Sequence, residues 1–212
     1  VREARGKENF VWVGWPGAEV SRERAPRYAR ALREQHGFVP VWLSADEVER
    51  YYSGYSNSSL WPLLHWMTPY ARFSGSWYDA YRAVNERFAA TLLETCRDGD
   101  LVWVHDYHLL LVPRLLRDLA RARGLRGLRV GFFLHVPFPS HEVIGCLPQC
   151  REVMLGVLGA DLVAFHTFAY LRHFRSALLR LTGVGSEMDH VDHDGHRARL
   201  RVFPIGVDKV GL

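Results

Sequence analysis

Cysteine is scarce in this chain. Only Cys96, Cys146 and Cys150 occur among 212 residues, an odd number without CxxC spacing, which excludes a disulfide framework and a zinc knuckle and leaves free thiols in a reducing compartment. Long apolar runs are also missing. "LLLV" and "VGFFLHVPF" fall short of the ~18 to 20 residues of a bilayer span, and "VREARGKENF" has no apolar h-region, so the expected setting is cytoplasmic, with no membrane partner. The net charge of +4 comes from 27 Lys and Arg against 23 Asp and Glu, but the arginines are scattered over helix-like segments such as "RERAPRYARALR" and "RLLRDLARARGLRGLR". A focused basic stripe interleaved with aromatics is absent, so no nucleic-acid partner is expected, only a basic field suited to an anionic ligand. No internal repeat or low-complexity linker occurs. Nor is there a GxGxxG or GK[ST] pattern: "GWPG" at 14–17 is a tight turn in the right place and a weak nucleotide signal.

What is present is the composition of a folded domain, 48% apolar and 24% charged. Strand-length apolar segments fall at 10–14, 38–43, 101–104, 129–135, 161–166 and 199–204, several with successive apolar residues, as a strand covered on both faces requires. Helix-length amphipathic segments alternate with them. Pro26 suits a first turn and Gly37 an ending; Ser44 and Glu47 match a capping box. Trp77, Tyr81, Val84, Phe88 and Leu92 share one helical face; Pro113 opens a helix that closes near Gly124, and "SALLRLTGVG" closes another. The alternation predicts an α/β fold with a mostly parallel sheet, and Asp194-Gly195 predicts a hairpin turn.

Ligands of an open parallel sheet sit beyond the carboxyl ends of its strands. There "LVWV" runs into His105-Asp106-Tyr107-His108, and "RVGFFL" runs into His135, so Asp106 and His135 are expected to face one cleft. The alternative has Asp106 capping the next helix and His135 hydrogen-bonded in the core. A metal centre of His105, Asp106, His108 and His135 is the other alternative, but adjacent residues 105 and 106 point apart and no HExxH accompanies them; no metal is expected. His190, His193 and His196, around the hairpin, are expected to face solvent. The segment "YYSGYSNSSLWPLLHW" (51–66) is rich in Tyr, Trp, Ser and Asn without periodicity, which predicts a loop, either packed on the sheet or walling a polar ligand site where an indole covers a sugar's apolar face.

Taken together, "VWVGWPG", "YYSGYSNSSLWPLLHW", the W-x3-Y-x3-N run at 77–85, "VWVHDYHLLLVPRLLR", "VGFFLHVPFPSHEVIGCLP", "VLGADLVAFHTFAYLRHF" and "VFPIGVD" stand in the order and spacing of the trehalose-6-phosphate synthase family. The chain resembles that family from Phe10 to Asp208. The resemblance implies a GT-B glycosyltransferase, of which residues 1–212 would be a single Rossmann-like, acceptor-side domain with helices on both faces of its sheet. The implied reaction moves glucose from UDP-glucose, a co-substrate, to glucose 6-phosphate with retention, using no cofactor or required metal. By motif, Tyr52, Trp61, Asp106 and Trp15 would contact glucose 6-phosphate, and His135 would reach the donor glucose; Asp106 and His135 are the implied catalytic pair, with His105 and His108 supporting the loop. A homo-oligomer is compatible with this.

The family pattern also has a first strand with an arginine, a glycine-rich loop and a second, donor-binding domain that have no counterpart in these residues, so the chain alone is expected to turn over little substrate. "SHEVIGCLP" departs from the family's commoner "SSEIYRTLP". A regulatory domain that keeps the fold and senses sugar phosphate without catalysis is the alternative.

Overall fold

The computed structural model describes residues 10–206. The readings made on residues 1–9 and on the last two residues of "VFPIGVD" lie outside the described residues. Strand β1 (Trp12–Gly14) pairs in parallel with β2 (Phe38–Pro40), and α1 (Ala25–His36) joins them. The second sheet has five strands in the order β3 (Leu101–His105), β4 (Arg129–Leu134), β5 (Leu162–Phe165), β7 (His196–Val202) and β6 (His190–His193). All its pairings are parallel except that of β6 with β7.

Each predicted strand segment is therefore found, divided between two sheets among the described residues, and 38–43 pairs only as far as Pro40. The added β6 belongs to the predicted hairpin, whose turn has Asp194 at φ 50° and Gly195 at φ 67°, the doubly positive geometry that matches strand twist in a two-residue turn. Helix α1 ends at Gly37 in the left-handed region, φ 59°, as a glycine C-cap does. Helix α7 (Cys150–Val157) packs on both α5 (Val112–Ala122) and α8 (Phe168–Thr182), the short α6 (His141–Ile144) packs on α8, α5 lies against β4, and α8 lies against β5 and β7. Val102, Val104, Val130, Phe132, Leu134, Val163 and Phe165 are buried. Leu101 and Trp103, alternating with the buried valines of β3, are 70% and 61% exposed, so that apolar run is covered on one face only among the described residues. No helix there is long and apolar enough to cross a membrane.

The segment 51–66 is not the predicted loop. After the capping box, in which Ser44 Oγ accepts from the Glu47 N–H (3.3 Å) and the Glu47 carboxylate accepts from the Ser44 N–H (2.9 Å), α2 (Ala45–Glu47) runs into a π-helical stretch, Val48–Leu60, and then into α3 (Trp61–Leu64). Arg87 of α4 (Gly75–Thr95) hydrogen-bonds Glu47 and, with the Ser44 bonds, holds its carboxyl down to about 2. Tyr51, Tyr55 and Ser56, Ser59 and Leu60, then Leu63 and Leu64 are buried. Gly54 is buried with them, so three of the six buried positions of the π-helical stretch are Gly or Ser, which is why an apolar template, α or β, finds no period in it.

Gly54 permits the close approach of this wide helix to α4. A Cβ there would lie 2.7–2.9 Å from the Trp77 indole. Gly54→Ala gains about 1 kcal/mol of helix propensity but drives a methyl into a rigid ring, which costs about 1–3 kcal/mol; net destabilisation is expected in urea unfolding, and a stabilised variant would contradict this packing.

Candidate active site

Three neighbouring parallel strands, β3, β4 and β5, end at one edge of the sheet and deliver His105 and Asp106, His135, and His166 there. Asp106 is the pivot. Its backbone sits at φ 72°, ψ 172°, a region essentially confined to glycine that costs about 1–3 kcal/mol for any other residue. The turn keeps the β3–β4 ladder going one step: the Asp106 N–H donates to Phe133 O (2.8 Å), and Asp106 Oδ1 accepts from the His135 N–H (3.2 Å). The carboxylate thus takes the place a strand carbonyl would have. It does not cap the short 3₁₀ turn that follows, Tyr107–Leu109.

Buried polar side chains over-determine this turn. Tyr81 Oη donates to Tyr107 O (2.8 Å) and accepts from the Leu110 N–H (3.0 Å). Asn85 Nδ2 donates to His108 O (3.1 Å), Asn85 Oδ1 accepts from the Leu111 N–H (3.2 Å), and Tyr51 Oη donates to His108 O (3.3 Å). Burial holds the Tyr81 and Tyr51 hydroxyls far above the usual phenol range, so they stay neutral donors. The W-x3-Y-x3-N run therefore has a purpose beyond a core stripe: Trp77 meets Gly54, while Tyr81 and Asn85 clamp the turn after β3. The spacing marks these three as one helical face, but nothing in it reveals what Tyr81 and Asn85 bond.

An aromatic strip leads away from Asp106. Tyr107 lies 4.0 Å from His108 and 5.7 Å from Trp61, centroid to centroid; His108 stacks on Tyr52 at 5.4 Å and 10°, and Tyr52 lies 6.0 Å from Trp15. Tyr52 and Trp61 are 39% and 40% exposed. Tyr107 is fixed in turn by its hydroxyl donating to Asn57 Oδ1 (3.1 Å). Trp15, Tyr52 and Trp61 are thus joined through half-buried His108 and buried Tyr107 to the turn that holds Asp106, whose carboxylate meets the His135 N–H. Three ring nitrogens in this region, Trp15 Nε1, His108 Nε2 and His166 Nδ1, are buried without a hydrogen-bond partner among the described residues, where such groups are normally satisfied. A separate cavity of roughly 580 Å³ opens beyond the 14–17 turn, lined by Pro16, Glu19, Arg24, Tyr28 and Trp42; none of the candidate residues lines it.

His105 turns out to contact His135 directly, Nδ1 to Nε2 at 2.9 Å, while His108 lies against Tyr52. Among the described residues no group of three or more His, Cys, Asp and Glu side chains is arranged to hold a metal ion. The hairpin histidines do not face solvent as expected. His196 Nε2 bonds Ala160 O at 3.0 Å, beside β5, and His190 Nδ1 bonds Asp189 at 2.9 Å; His190 and His193, on the outer strand β6, lie against Asp189, Asp192 and Asp194 of the hairpin itself, and the side chains of His190, His193 and His196 are 19%, 21% and 13% exposed. Cys96, Cys146 and Cys150 are free thiols.

An acid and an imidazole beyond the carboxyl ends of parallel strands stand where open α/β sheets bind their ligands. The chain belongs to glycosyltransferase family 20, whose description it matches over residues 1–212. It is 42% identical over 199 residues to alpha,alpha-trehalose-phosphate synthase [UDP-forming] 1 of Aspergillus fumigatus, covering 94% of this chain and 38% of that protein. Among solved structures it is similar to a UDP-forming alpha,alpha-trehalose-phosphate synthase from Burkholderia xenovorans in complex with glucose-6-phosphate, with a TM-score of 0.78 and 29% identity over 94% of this chain and 44% of that one. The N-terminal domain of Candida albicans trehalose-6-phosphate phosphatase is equally similar, with a TM-score of 0.80 and 31% identity over 94% of this chain and 42% of that one. The chain thus spans about two fifths of the length of these relatives.

Two outcomes follow from the geometry. Asp106→Gly removes the backbone strain and is expected to be at least as stable as the parent in urea unfolding, whereas Asp106→Ala, which keeps a Cβ, gains nothing; equal stabilisation by both would place the strain elsewhere. Burial lowers the proton affinity of His105, His108, His135 and His196 in the fold. The unfolded chain, with ordinary values near ~6.5, then binds more protons below that pH. Stability should hold steady above about pH 7.5 and fall as pH drops through ~6.5 towards 5; an unchanged melting temperature between pH 7.5 and 5 would contradict it.

Proposed function

We propose that this chain carries the acceptor side of a trehalose-phosphate synthase: transfer of glucose from UDP-glucose to glucose 6-phosphate, with retention, giving trehalose 6-phosphate. Residues 1–212 act in this reading as one Rossmann-like acceptor-side domain. Asp106 accepts hydrogen bonds from acceptor hydroxyls, Trp61 and Tyr52 lie along the sugar with Trp15 beyond them, and His135 meets the donor glucose near the transfer point. The single observation that carries the reading is the strained Asp106 carboxylate, held beside His135 and bordered by exposed aromatic rings. Strain of that kind persists where the surroundings enforce it, and it clusters at sites that must meet a ligand in one geometry.

The chemistry suits such a site. Retaining transfer through an oxocarbenium-like transition state needs acceptor oxygen, anomeric carbon and departing phosphate aligned on one face, so orientation and electrostatics carry more of the rate than a protein nucleophile would. Paired glycosidase carboxylates sit ~5 to 9.5 Å apart; no second carboxylate is assigned to this reaction. Nor is a metal or cofactor assigned to it, and the setting remains cytoplasmic, without membrane or nucleic-acid partners and compatible with a homo-oligomer. A domain of the same fold that senses sugar phosphate without catalysis is the second reading; the fold also occurs in the N-terminal domain of a protein named as a phosphatase rather than a synthase.

Calorimetry of this chain with glucose 6-phosphate and with UDP-glucose, each alone, tests the proposal. Saturable heat is expected with glucose 6-phosphate, weakened about 5- to 100-fold by Asp106→Ala or Trp61→Ala through loss of one charge-assisted hydrogen bond or one sugar-covering ring. Binding without release of UDP is expected of this chain under both readings, whereas release of UDP when both are supplied would exclude the sensing one. No heat with glucose 6-phosphate, or full affinity in both variants, would overturn the acceptor assignment.

A further inference from the structure

The contact between His105 and His135 assigns these rings a division of labour. Nδ1 of His105 and Nε2 of His135 are 2.9 Å apart, and two imidazole nitrogens at that distance require one proton between them: one ring donates and the other accepts. The pair is enclosed by Trp103 and Phe133, whose rings lie 5.0 Å from His105 and 4.6 Å from His135, with His166 5.7 Å from His135 on the far side and Asp106 adjacent in the turn. His105 is half-buried at the end of β3, whereas His135 is exposed.

We propose that His105 is a positioning residue for His135: it accepts a hydrogen bond from His135 Nε2–H, locks the ring in that tautomer, and so leaves His135 Nδ1 as a lone-pair acceptor for a sugar hydroxyl. Two considerations set the direction. If His135 donates, both rings carry their proton on Nε2, the tautomer a free imidazole ordinarily prefers; if His105 donates, both are forced into the other. A proton added to the pair is also better held on His135, which is solvated and stands beside the Asp106 carboxylate, than on the more enclosed His105. Protonated, His135 still donates through Nε2, so the bond survives while Nδ1 changes from acceptor to donor. His135 Nδ1 makes no hydrogen bond within the described residues, and its ligand-facing use rests on the reading of His135 as the group that meets the donor glucose.

The experiment is ligand-free nitrogen-15 NMR of the histidine rings of this chain at pH 8, which gives a result whether or not sugar binds. Expected are a pyrrole-type His135 Nε2 with a slowly exchanging proton, a pyridine-type His105 Nδ1, and a nitrogen–nitrogen coupling across the bond between them. His105→Phe should abolish that coupling and speed exchange of the His135 ring proton at least tenfold. His105→Asn, whose Oδ1 can accept in place of Nδ1, should restore protection. A general loss of structure would instead alter backbone amide signals throughout and would not be repaired selectively by asparagine. A pyridine-type His135 Nε2 in the parent, unchanged exchange in a folded His105→Phe, or no rescue by asparagine would overturn the proposal. Should the phenylalanine variant not fold, the parent coupling and the asparagine variant still decide it. The calorimetry above fails or succeeds separately, since it reads sugar binding and not the bond between the rings.

Discussion

Everything at the carboxyl edge of the sheet depends on how a strand that ends in an unfavourable backbone conformation is kept there. Beyond His105 the chain must reverse sharply, and it does so through Asp106 at φ 72°. The penalty of about 1–3 kcal/mol is offset by hydrogen bonds that only this conformation makes: Asp106 to both the carbonyl of Phe133 and the N–H of His135, and the next residues to Tyr51, Tyr81 and Asn85. With a net contribution of about 1 kcal/mol for a typical bond and more for one left unmade in the interior, this set is large enough to hold the turn. The carboxylate's direction is consequently a property of the core rather than of a free side chain.

That coupling joins parts of the chain that are remote in sequence. Tyr81 and Asn85 stand on α4 and Tyr51 on the wide helix, so placement of the turn relies on packing between those two helices, which in turn relies on Gly54 against Trp77. The same wide helix carries Tyr52, Asn57 and, at its end, Trp61, so one body both fixes the turn from beneath and supplies the exposed rings beside it. One set of contacts therefore holds the exposed aromatic faces and the carboxylate in constant relation, as the proposed acceptor site requires.

Much of this was legible in the residues. Strand lengths, the glycine at 37, the capping box and the Asp194-Gly195 turn are local signals with a direct physical cause, and the α/β fold with a mostly parallel sheet followed from them. Asp106 and His135 were found because both follow apolar strands that end at one edge. The segment 51–66 reads as a loop because Gly54, Ser56 and Ser59 on its buried side interrupt any apolar period and because Ser, Asn and Gly ordinarily mark turns. The contact of His105 with His135 was out of reach, since it depends on the register of β3 against β4, and residues thirty apart carry no local sign of pairing. The contact of His196 with the Ala160 carbonyl is out of reach for the same reason, since it depends on β7 packing along β5.

The π-helical stretch has a bearing on how this region can vary. Loops absorb insertions and deletions, whereas here each residue added or removed between Val48 and Leu60 would swing everything downstream by roughly a quarter of a turn around the axis. Trp61 would leave Tyr107, and Tyr51 would no longer share a register with Leu63 and Leu64. Length in this segment is therefore under tighter constraint than its serine-rich composition suggests: substitutions can accumulate along its outer side, while a one-residue indel would dismantle the floor and the wall of the site together.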